Sequence, residues 1–340
     1  MAYQVGGTNR IKDDNTVAFK NVTVKNHYVF APLGPVQGET SGYSSGGEQI
    51  PGPPYYVNTI DKFPFSSDAN ATDVGDLTQA RGRATGQSSS ASGYTSGGLA
   101  PPTVNTIDKF PFSSDGNASD VGDLTQVRYW SAGQTSDVSG YTSGGPPAPA
   151  GQTNVIDKFP FSTDADATDV GDLTADREYG LAGQSSPANG YTSGGGAFPP
   201  FTNVDLIDKF PFSSDANATD VGDLSVARGY VAGQSSTASG YTSGGPHPPP
   251  EIGRSTVIDK FPFSSDANAT DVGDLSEGRK EVTGQSSASS GYTSGGKGSF
   301  PTLPGQARLT IDKFPFSSDG NATDVGDLTQ ARASMGGQQV

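Results

Sequence analysis

The sequence has no cysteine and only one tryptophan, two histidines and two methionines among its 340 residues. The absence of cysteine excludes disulfide frameworks, thiolate metal sites and cysteine nucleophiles. The two histidines, His27 and His247, lie in an N-terminal segment and in a proline-rich stretch, which argues against a Ser-His-Asp arrangement. We therefore expect a protein that is not an enzyme and that uses no cofactor.

The sequence also lacks long apolar runs and a positive net charge. No run approaches the eighteen or so apolar residues of a membrane span, and the first residues lack the apolar core of a signal peptide. The formal net charge of −15 argues against nucleic acid and against an anionic membrane as partners. No segment shows the apolar stripe of an amphipathic helix.

The composition alone would indicate disorder, but a long repeat in the sequence indicates a folded protein. Glycine and proline are abundant, at 47 and 25 residues. However, each repeat reproduces an isoleucine, two phenylalanines, a leucine and a tyrosine in register, and these residues fill protein cores. The hexapeptide IDKFPF begins at Ile60, Ile107, Ile156, Ile207, Ile258 and Ile311.

Each repeat of about 50 residues contains signals for four short strands. They are the segments typified by GQSS, GYTSGG, NTIDKFPF and VGDLTQAR, and SSDANATD before the last of them is a turn sequence. Six such units predict an all-β protein, a six-bladed β-propeller with one four-stranded blade per repeat. A β-solenoid or a string of small β-domains is the alternative.

Two motifs carry a resemblance to known propeller families. The segment from Tyr94 to Gly98 fits the Y-x-x-G-G ending of the second strand in a kelch repeat, and Arg81 stands where kelch repeats carry an arginine. The tryptophan of the kelch fourth strand is missing. The turn Ser66-x-Asp68-x-Asn70-x-Thr72 resembles the Asp-box hairpin of sialidase-type propellers. Both resemblances imply a propeller, here with kelch-like repeats.

The number of copies predicts how the ring closes. GYxSGG and a GQ strand each occur six times, but the last GQ is in the tail, at Gly337 and Gln338. The first blade then takes its innermost strand from the C-terminal end. The alternative is that VFAPLGPV, near Phe30, forms that strand. We expect residues 1–37 to be a short extended N-terminal attachment segment and residues 38–340 to be the propeller.

Two segments differ between the repeats, one after SGG and one after AR. In a blade of four antiparallel strands both lie at the same end, so this variable face is the predicted binding face. Unconstrained drift of loop sequence is the alternative. Aromatic residues in these segments are the candidate binding residues: Tyr55, Tyr56, Trp130, Phe198, Phe201 and Phe300.

The acidic turn offers a candidate calcium site. Asp68, Asn70 and Asp73 place three oxygen ligands within six residues, as hard-cation loops do. Asx-turn chemistry explains the same residues without a metal, and we expect none. The arginine that recurs once per blade is expected to be structural and to pair with Asp76-type carboxylates of neighbouring strands.

The N-terminal segment AYQVGGTNRIKDDNTVAFKNVTV resembles the lead-in of bacteriophage tail fibre and tail-associated proteins. The near-identical repeats are similar to those of virion structural proteins of marine bacteriophages. The resemblance implies a structural protein on the virion tail or capsid surface, which contacts other virion proteins through the N-terminal segment and host surface glycan or protein through the propeller. A bacterial surface lectin-like adhesin and a propeller glycoside hydrolase are the alternatives.

Overall fold

The protein is a six-bladed β-propeller, as the sequence predicts. The computed structural model describes residues 37–50, 52–147, 153–197, 202–246, 253–298 and 306–340. These ranges contain strands and turns but no helix, so no helix among them could cross a membrane. Six four-stranded antiparallel sheets follow one another around a ring, which replaces the solenoid alternative. VFAPLGPV, Phe198, Phe201 and Phe300 lie outside the described residues.

Each blade has the same strand order from the axis outwards. The innermost strands, from blade 1 to blade 6, are Gly336–Gln339, Thr85–Ser88, Ala132–Thr135, Ala182–Ser185, Ala232–Ser235 and Thr283–Ser286. The second strands are Ser41–Ser45, Ser92–Ser96, Ser139–Ser143, Asn189–Ser193, Ser239–Ser243 and Ser290–Ser294. These two strands correspond to the GQSS and GYTSGG segments of the repeat.

The outer half of each blade comes from the IDKFPF and VGDL segments. The third strands are Thr59–Pro64, Thr106–Pro111, Val155–Pro160, Leu206–Pro211, Val257–Pro262 and Arg308–Pro315. The outermost strands are Thr72–Asp76, Ser119–Asp123, Thr168–Asp172, Thr219–Asp223, Thr270–Asp274 and Thr323–Arg332. Each third strand ends at its proline, which has no backbone N–H to donate. Two small ribbons, Gly196–Ala197 with Thr202–Asn203 and Arg279–Lys280 with Lys297–Gly298, complete the described strands.

Six glycines let the blades approach closely at the axis. A Cβ built on Gly183 would lie 2.0 Å from the carbonyl oxygen of Gly133 in the preceding blade, and one on Gly233 would lie 2.2 Å from that of Gly183. The same close approach continues around the ring and closes it at Gly337 and Gly284. In both cases the atom that the Cβ would meet is a backbone carbonyl oxygen, so only a residue without a side chain fits at this position.

We predict that Gly183→Ala destabilises the ring. The added methyl group meets backbone rather than a flexible side chain, so the cost should be at least the ~1–3 kcal/mol typical of overpacking. Gly320→Ala is the matched control, because a Cβ at Gly320 meets nothing within 4 Å and blade 1 has Ala69 at the same place. Chemical denaturation of both variants measures the difference. Equal stabilities would contradict close packing at the axis.

Tyrosines and phenylalanines form the core between neighbouring blades. Between blades 1 and 2, Tyr43, Ile60 and Leu77 pack against Phe110 and Phe112. The ring of Tyr43 lies 5.6 Å from that of Phe110 and 4.8 Å from that of Phe112, within the range of favourable aromatic pairs. Both phenylalanines of each IDKFPF segment therefore pack against the preceding blade.

Burial raises the pKa of all six tyrosines at these interfaces, namely Tyr43, Tyr94, Tyr141, Tyr191, Tyr241 and Tyr292. Because the pKa is higher in the folded protein, the unfolded chain loses these protons at a lower pH than the folded protein does. The stability that the neutral tyrosines contribute is therefore complete below the unfolded pKa of about 10 and is lost as the pH rises through the native pKa.

We predict steep alkaline unfolding. Each tyrosine should lower the free energy of unfolding by up to about 1.4 kcal/mol per pH unit above pH ~10, and the six contributions add. Thermal melts between neutral and strongly alkaline pH, together with tyrosinate absorbance, provide the measurement. Tyrosinate that forms fully while the melting temperature stays constant would contradict the prediction.

Residues from the two ends of the described chain complete blade 1. Gly336–Gln339 pairs antiparallel with Ser41–Ser45, so the C-terminal strand occupies the innermost position. The carbonyl oxygen of Val340 accepts hydrogen bonds from the backbone N–H groups of Thr40 and Ser41 at 2.6 and 2.9 Å. The ring is thus closed inside one sheet, between strands that are almost 300 residues apart.

We predict that deletion of residues 333–340 destabilises the whole ring. Blade 1 would lose its innermost strand, and the unpaired edge of Ser41–Ser45 would favour aggregation. Thermal unfolding and size-exclusion chromatography compare the truncated and full chains. A truncated monomer with an unchanged melting temperature would show that the strand does not hold the ring together.

Candidate functional site

The acidic turn, the candidate calcium site, has its oxygens engaged by protein donors. Asp68 Oδ1 lies 2.9 Å from Nζ of Lys313, and Asn70 Oδ1 accepts the backbone N–H of Asp327 at 3.1 Å. Asp73 Oδ1 accepts the N–H of Gly75 at 3.2 Å. Within the described ranges, no group of three or more histidine, aspartate or glutamate residues is arranged to hold a metal ion. The turn thus fastens blade 1 to the third and the outermost strands of blade 6.

The recurring arginines pair with a different aspartate from the one predicted. Each is fully buried and forms an ion pair with the aspartate of IDKFPF in the next blade, so the prediction of Asp76-type partners is wrong. The pairs are Arg81–Asp108, Arg128–Asp157, Arg177–Asp208, Arg228–Asp259, Arg279–Asp312 and Arg332–Asp61. The reason is burial: Asp76 is partly exposed on an outermost strand, whereas Asp108 is 0% exposed.

The two variable segments meet at one end of the ring. Gly82, which follows a buried arginine, exchanges two backbone hydrogen bonds with Leu99 in the loop after SGG, at 3.0 and 2.7 Å. Glu178 and Gly196 make the same exchange at 2.9 and 2.7 Å. Sequence differences between blades are therefore concentrated at this end.

Six residues form a ring around the mouth of the central channel at this end. Each follows a buried arginine by two positions and precedes an innermost strand. Each has a left-handed backbone, with φ between 54° and 67°, although none is glycine. We call them the mouth residues: Arg83, Trp130, Tyr179, Tyr230, Glu281 and Ser334.

Backbone hydrogen bonds join the mouth residues from blade to blade. The N–H of Trp130 donates to the carbonyl oxygen of Arg83 at 2.8 Å, and the N–H of Arg83 donates to that of Ser334 at 2.6 Å. The pattern continues through Glu281, Tyr230 and Tyr179. In blade 4 the joint is one residue longer, and Leu181 donates to Trp130 instead. The mouth backbone is thus fixed while its side chains differ.

The side chains from blades 3, 4 and 5 form an aromatic cluster. The ring centroid of Trp130 lies 5.2 Å from that of Tyr129, 5.8 Å from that of Tyr179 and 5.1 Å from that of Tyr230. Tyr179 and Tyr230 are 5.9 Å apart. All four side chains are only partly buried. An aromatic surface therefore exists on one side of an otherwise regular ring.

Charged side chains occupy the other side of the mouth. Glu48, which is 4% exposed, forms ion pairs with Arg83 and with Lys297, and Lys297 also contacts Glu281. Burial alone would raise the pKa of Glu281, but Lys297 and Lys280 outweigh it and hold that pKa below its usual value. Glu281 is therefore an ionised acceptor, and it also accepts a hydrogen bond from Ser334 Oγ at 3.0 Å.

The mouth opens into the central channel, which contains a cavity of about 120 Å³. Arg83, Trp130, Tyr230, Glu281 and Ser334 all border this cavity. Below them the cavity is lined by the six innermost strands. A concave space with aromatic and charged groups converging at its rim has the properties of a small-molecule binding site.

The structure separates the predicted binding residues. Trp130 is a mouth residue, and Tyr56 lies beside the mouth, because a Cβ on Gly82 would be 3.3 Å from the Tyr56 ring. Tyr55 is 62% exposed on the loop. Tyr179 and Tyr230 were missed by sequence reasoning, although both stand in the variable segment after the arginine. Their position two residues after each buried arginine was the available signal.

No protein-family model and no curated protein sequence matches this chain. The function must therefore be inferred from the chemistry of the mouth and of the variable face.

Proposed function

We propose that the protein is a non-enzymatic attachment protein of a bacteriophage virion. The propeller, displayed on the tail or capsid, binds host surface glycan or protein, or another virion protein, through its variable face. The N-terminal segment, residues 1–37, joins it to other virion proteins. Support for the virion comes from the sequence resemblance of that segment, and of the near-identical repeat units, to phage structural proteins.

One observation carries the binding role. The aromatic cluster at the mouth is made from positions that differ between the blades, while the scaffold residues around it are almost identical. Trp130, Tyr179 and Tyr230 keep partly exposed rings where the backbone is left-handed, which disfavours bulky residues by about 1–3 kcal/mol each. Large side chains at unfavourable positions are characteristic of functional sites, and aromatic residues dominate binding energy at interfaces.

The net charge of the chain and the carrier of the protein bear on the choice of partner. The net charge of −15 disfavours nucleic acid. A bacterial surface adhesin would use the same binding face, so it is separated from the phage protein only by the particle or cell that carries the chain. Detection of the protein in purified virions by mass spectrometry distinguishes the two.

We predict that the triple variant Tyr55→Ala, Tyr56→Ala and Trp130→Ala loses attachment. Binding of purified protein to cells of the bacterium that the phage infects, or to purified virions lacking the protein, should fall at least about tenfold, because aromatic anchors contribute ~2 kcal/mol or more each when central. The melting temperature should stay nearly unchanged, since Tyr55 and Tyr56 lie in a loop, and Trp130 is only partly buried and occupies a left-handed backbone position that disfavours bulky residues.

The control variant changes exposed serines in the acidic turns, Ser66→Ala, Ser67→Ala and Ser113→Ala, at the other end of the ring. It should bind like the unchanged protein. Binding that survives the triple aromatic change and is lost in the serine variant would place the binding face at the opposite end.

A further inference from the structure

The mouth contains buried hydrogen-bonding atoms that have no protein partner. Trp130 Nε1 and the adjacent Ser131 Oγ are both buried and both lack a hydrogen bond. Both residues border the central cavity. Buried polar groups are almost always satisfied, and an exception at the rim of a cavity indicates a place where a ligand or water supplies the partner. Trp130 belongs to the aromatic cluster, and Ser131 follows it in the chain, so the two unpaired atoms belong to one part of the rim.

A ligand that is a cation does not fit this cluster. Cations bind over the face of an aromatic ring, and the protein's own side chains already do so here. The guanidinium of Arg83 lies 4.2 Å from the centroid of the Trp130 ring, and Nζ of Lys280 lies 4.6 Å from that of Tyr230.

Flat stacked ligands and strongly charged ligands are disfavoured as well. The interplanar angles of Trp130 with Tyr179 and Tyr230 are 45° and 85°, and that between the two tyrosines is 54°. The rings thus form a corner and not the parallel slot that holds a planar base. The charges are paired within the protein through Glu48, Glu281 and Lys297. A purely apolar ligand would leave the Trp130 N–H and Ser131 hydroxyl unsatisfied.

We infer that the mouth binds one neutral pyranose sugar per propeller. A pyranose ring has an apolar C–H face that packs on aromatic side chains, here on the face of the Trp130 ring opposite to the one that Arg83 covers. It also has hydroxyl groups that accept from Trp130 Nε1–H and Arg83, and that donate to Ser131 Oγ and Glu281. This inference rests on the proposed attachment function and names the chemical class of its ligand.

The stoichiometry follows from the asymmetry of the ring. The chain has a single tryptophan, so only one of six blades presents the indole corner. The blade interfaces, in contrast, repeat six times with the same residues. A site at the mouth therefore takes one sugar, whereas a site at the interfaces would take several.

The experiment uses Trp130 as its own reporter, because selective excitation of tryptophan observes this residue alone. The full chain is titrated with methyl glycosides of the common neutral hexopyranoses and with sorbitol, an acyclic polyol that has hydroxyl groups but no ring face. At least one glycoside should change the emission saturably and bind with one site per chain by calorimetry, and sorbitol should not.

The variants are Tyr230→Asn and Tyr179→Asn, since asparagine tolerates the left-handed backbone at both positions. Each should weaken sugar binding by about tenfold or more, equivalent to ~1.4 kcal/mol. Val138→Ala is the control, a 68% exposed apolar side chain shortened in the same blade as Trp130 but outside the mouth, and it should bind sugar normally. Melting temperatures check that each variant is folded.

Three results would overturn the inference: no saturable response to any hexopyranoside, an equal response to sorbitol, or unchanged sugar binding in both folded asparagine variants. The attachment function is tested separately. If the triple aromatic variant loses cell or virion binding but no sugar binds at the mouth, the attachment function stands and the sugar inference fails. If sugar binds and attachment does not depend on the variable face, the proposed function fails.

Discussion

The buried ion pair between each arginine and the aspartate of the next blade is the constraint on which both the ring and the mouth depend. Arg128 and Asp157 are completely buried, and a charge in such a place requires its partner, because loss of one member costs several kcal/mol. Asp157 also accepts hydrogen bonds from the N–H and the hydroxyl of Thr125, so the pair ties the segment that leaves blade 2 to the third strand of blade 3. Arg128 also lies two residues before Trp130. The same ion pair therefore positions the backbone from which a mouth residue projects. Scaffold and site are therefore anchored by one interaction.

The identical parts of the repeat act between blades more than within them. Phe110 and Phe112 pack on the preceding blade, the acidic turn caps the outermost strand of the preceding blade, and Gly183 fits against the backbone of Gly133. A substitution at any of these positions in one blade also alters a contact with the preceding blade. The segments after the arginine are joined from blade to blade by backbone hydrogen bonds, which do not depend on the side chain, and their sequences differ.

Much of the fold could be predicted from the sequence, because the repeat period and strand patterns are local properties. The six blades, the strand order and the end at which the variable segments lie all follow from them. The partner of Arg81 could not be predicted in the same way. Asp76 and Asp108 are equally plausible by sequence, and only the curvature of the closed ring shows which carboxylate is buried beside the guanidinium.

The mouth was only partly predictable for a similar reason. Trp130 was identified from its residue type and its variable segment. Its contacts with Tyr179 and Tyr230 cross from one blade to others, and the distance between those blades depends on the radius of the ring. The orphan donors at Trp130 and Ser131 depend on side-chain packing and have no sequence signature.

The closure of blade 1 has a consequence for synthesis of the chain. A ribosome releases Ser41–Ser45 long before Gly336–Gln339, so the first blade waits for its innermost strand until the strands of the other five blades have emerged. During that interval the vacant edge can accept a GQ strand of very similar sequence from another nascent chain. Neighbouring ribosomes on one messenger would bring such chains together, and the spacing between them becomes a factor in the yield of closed monomers.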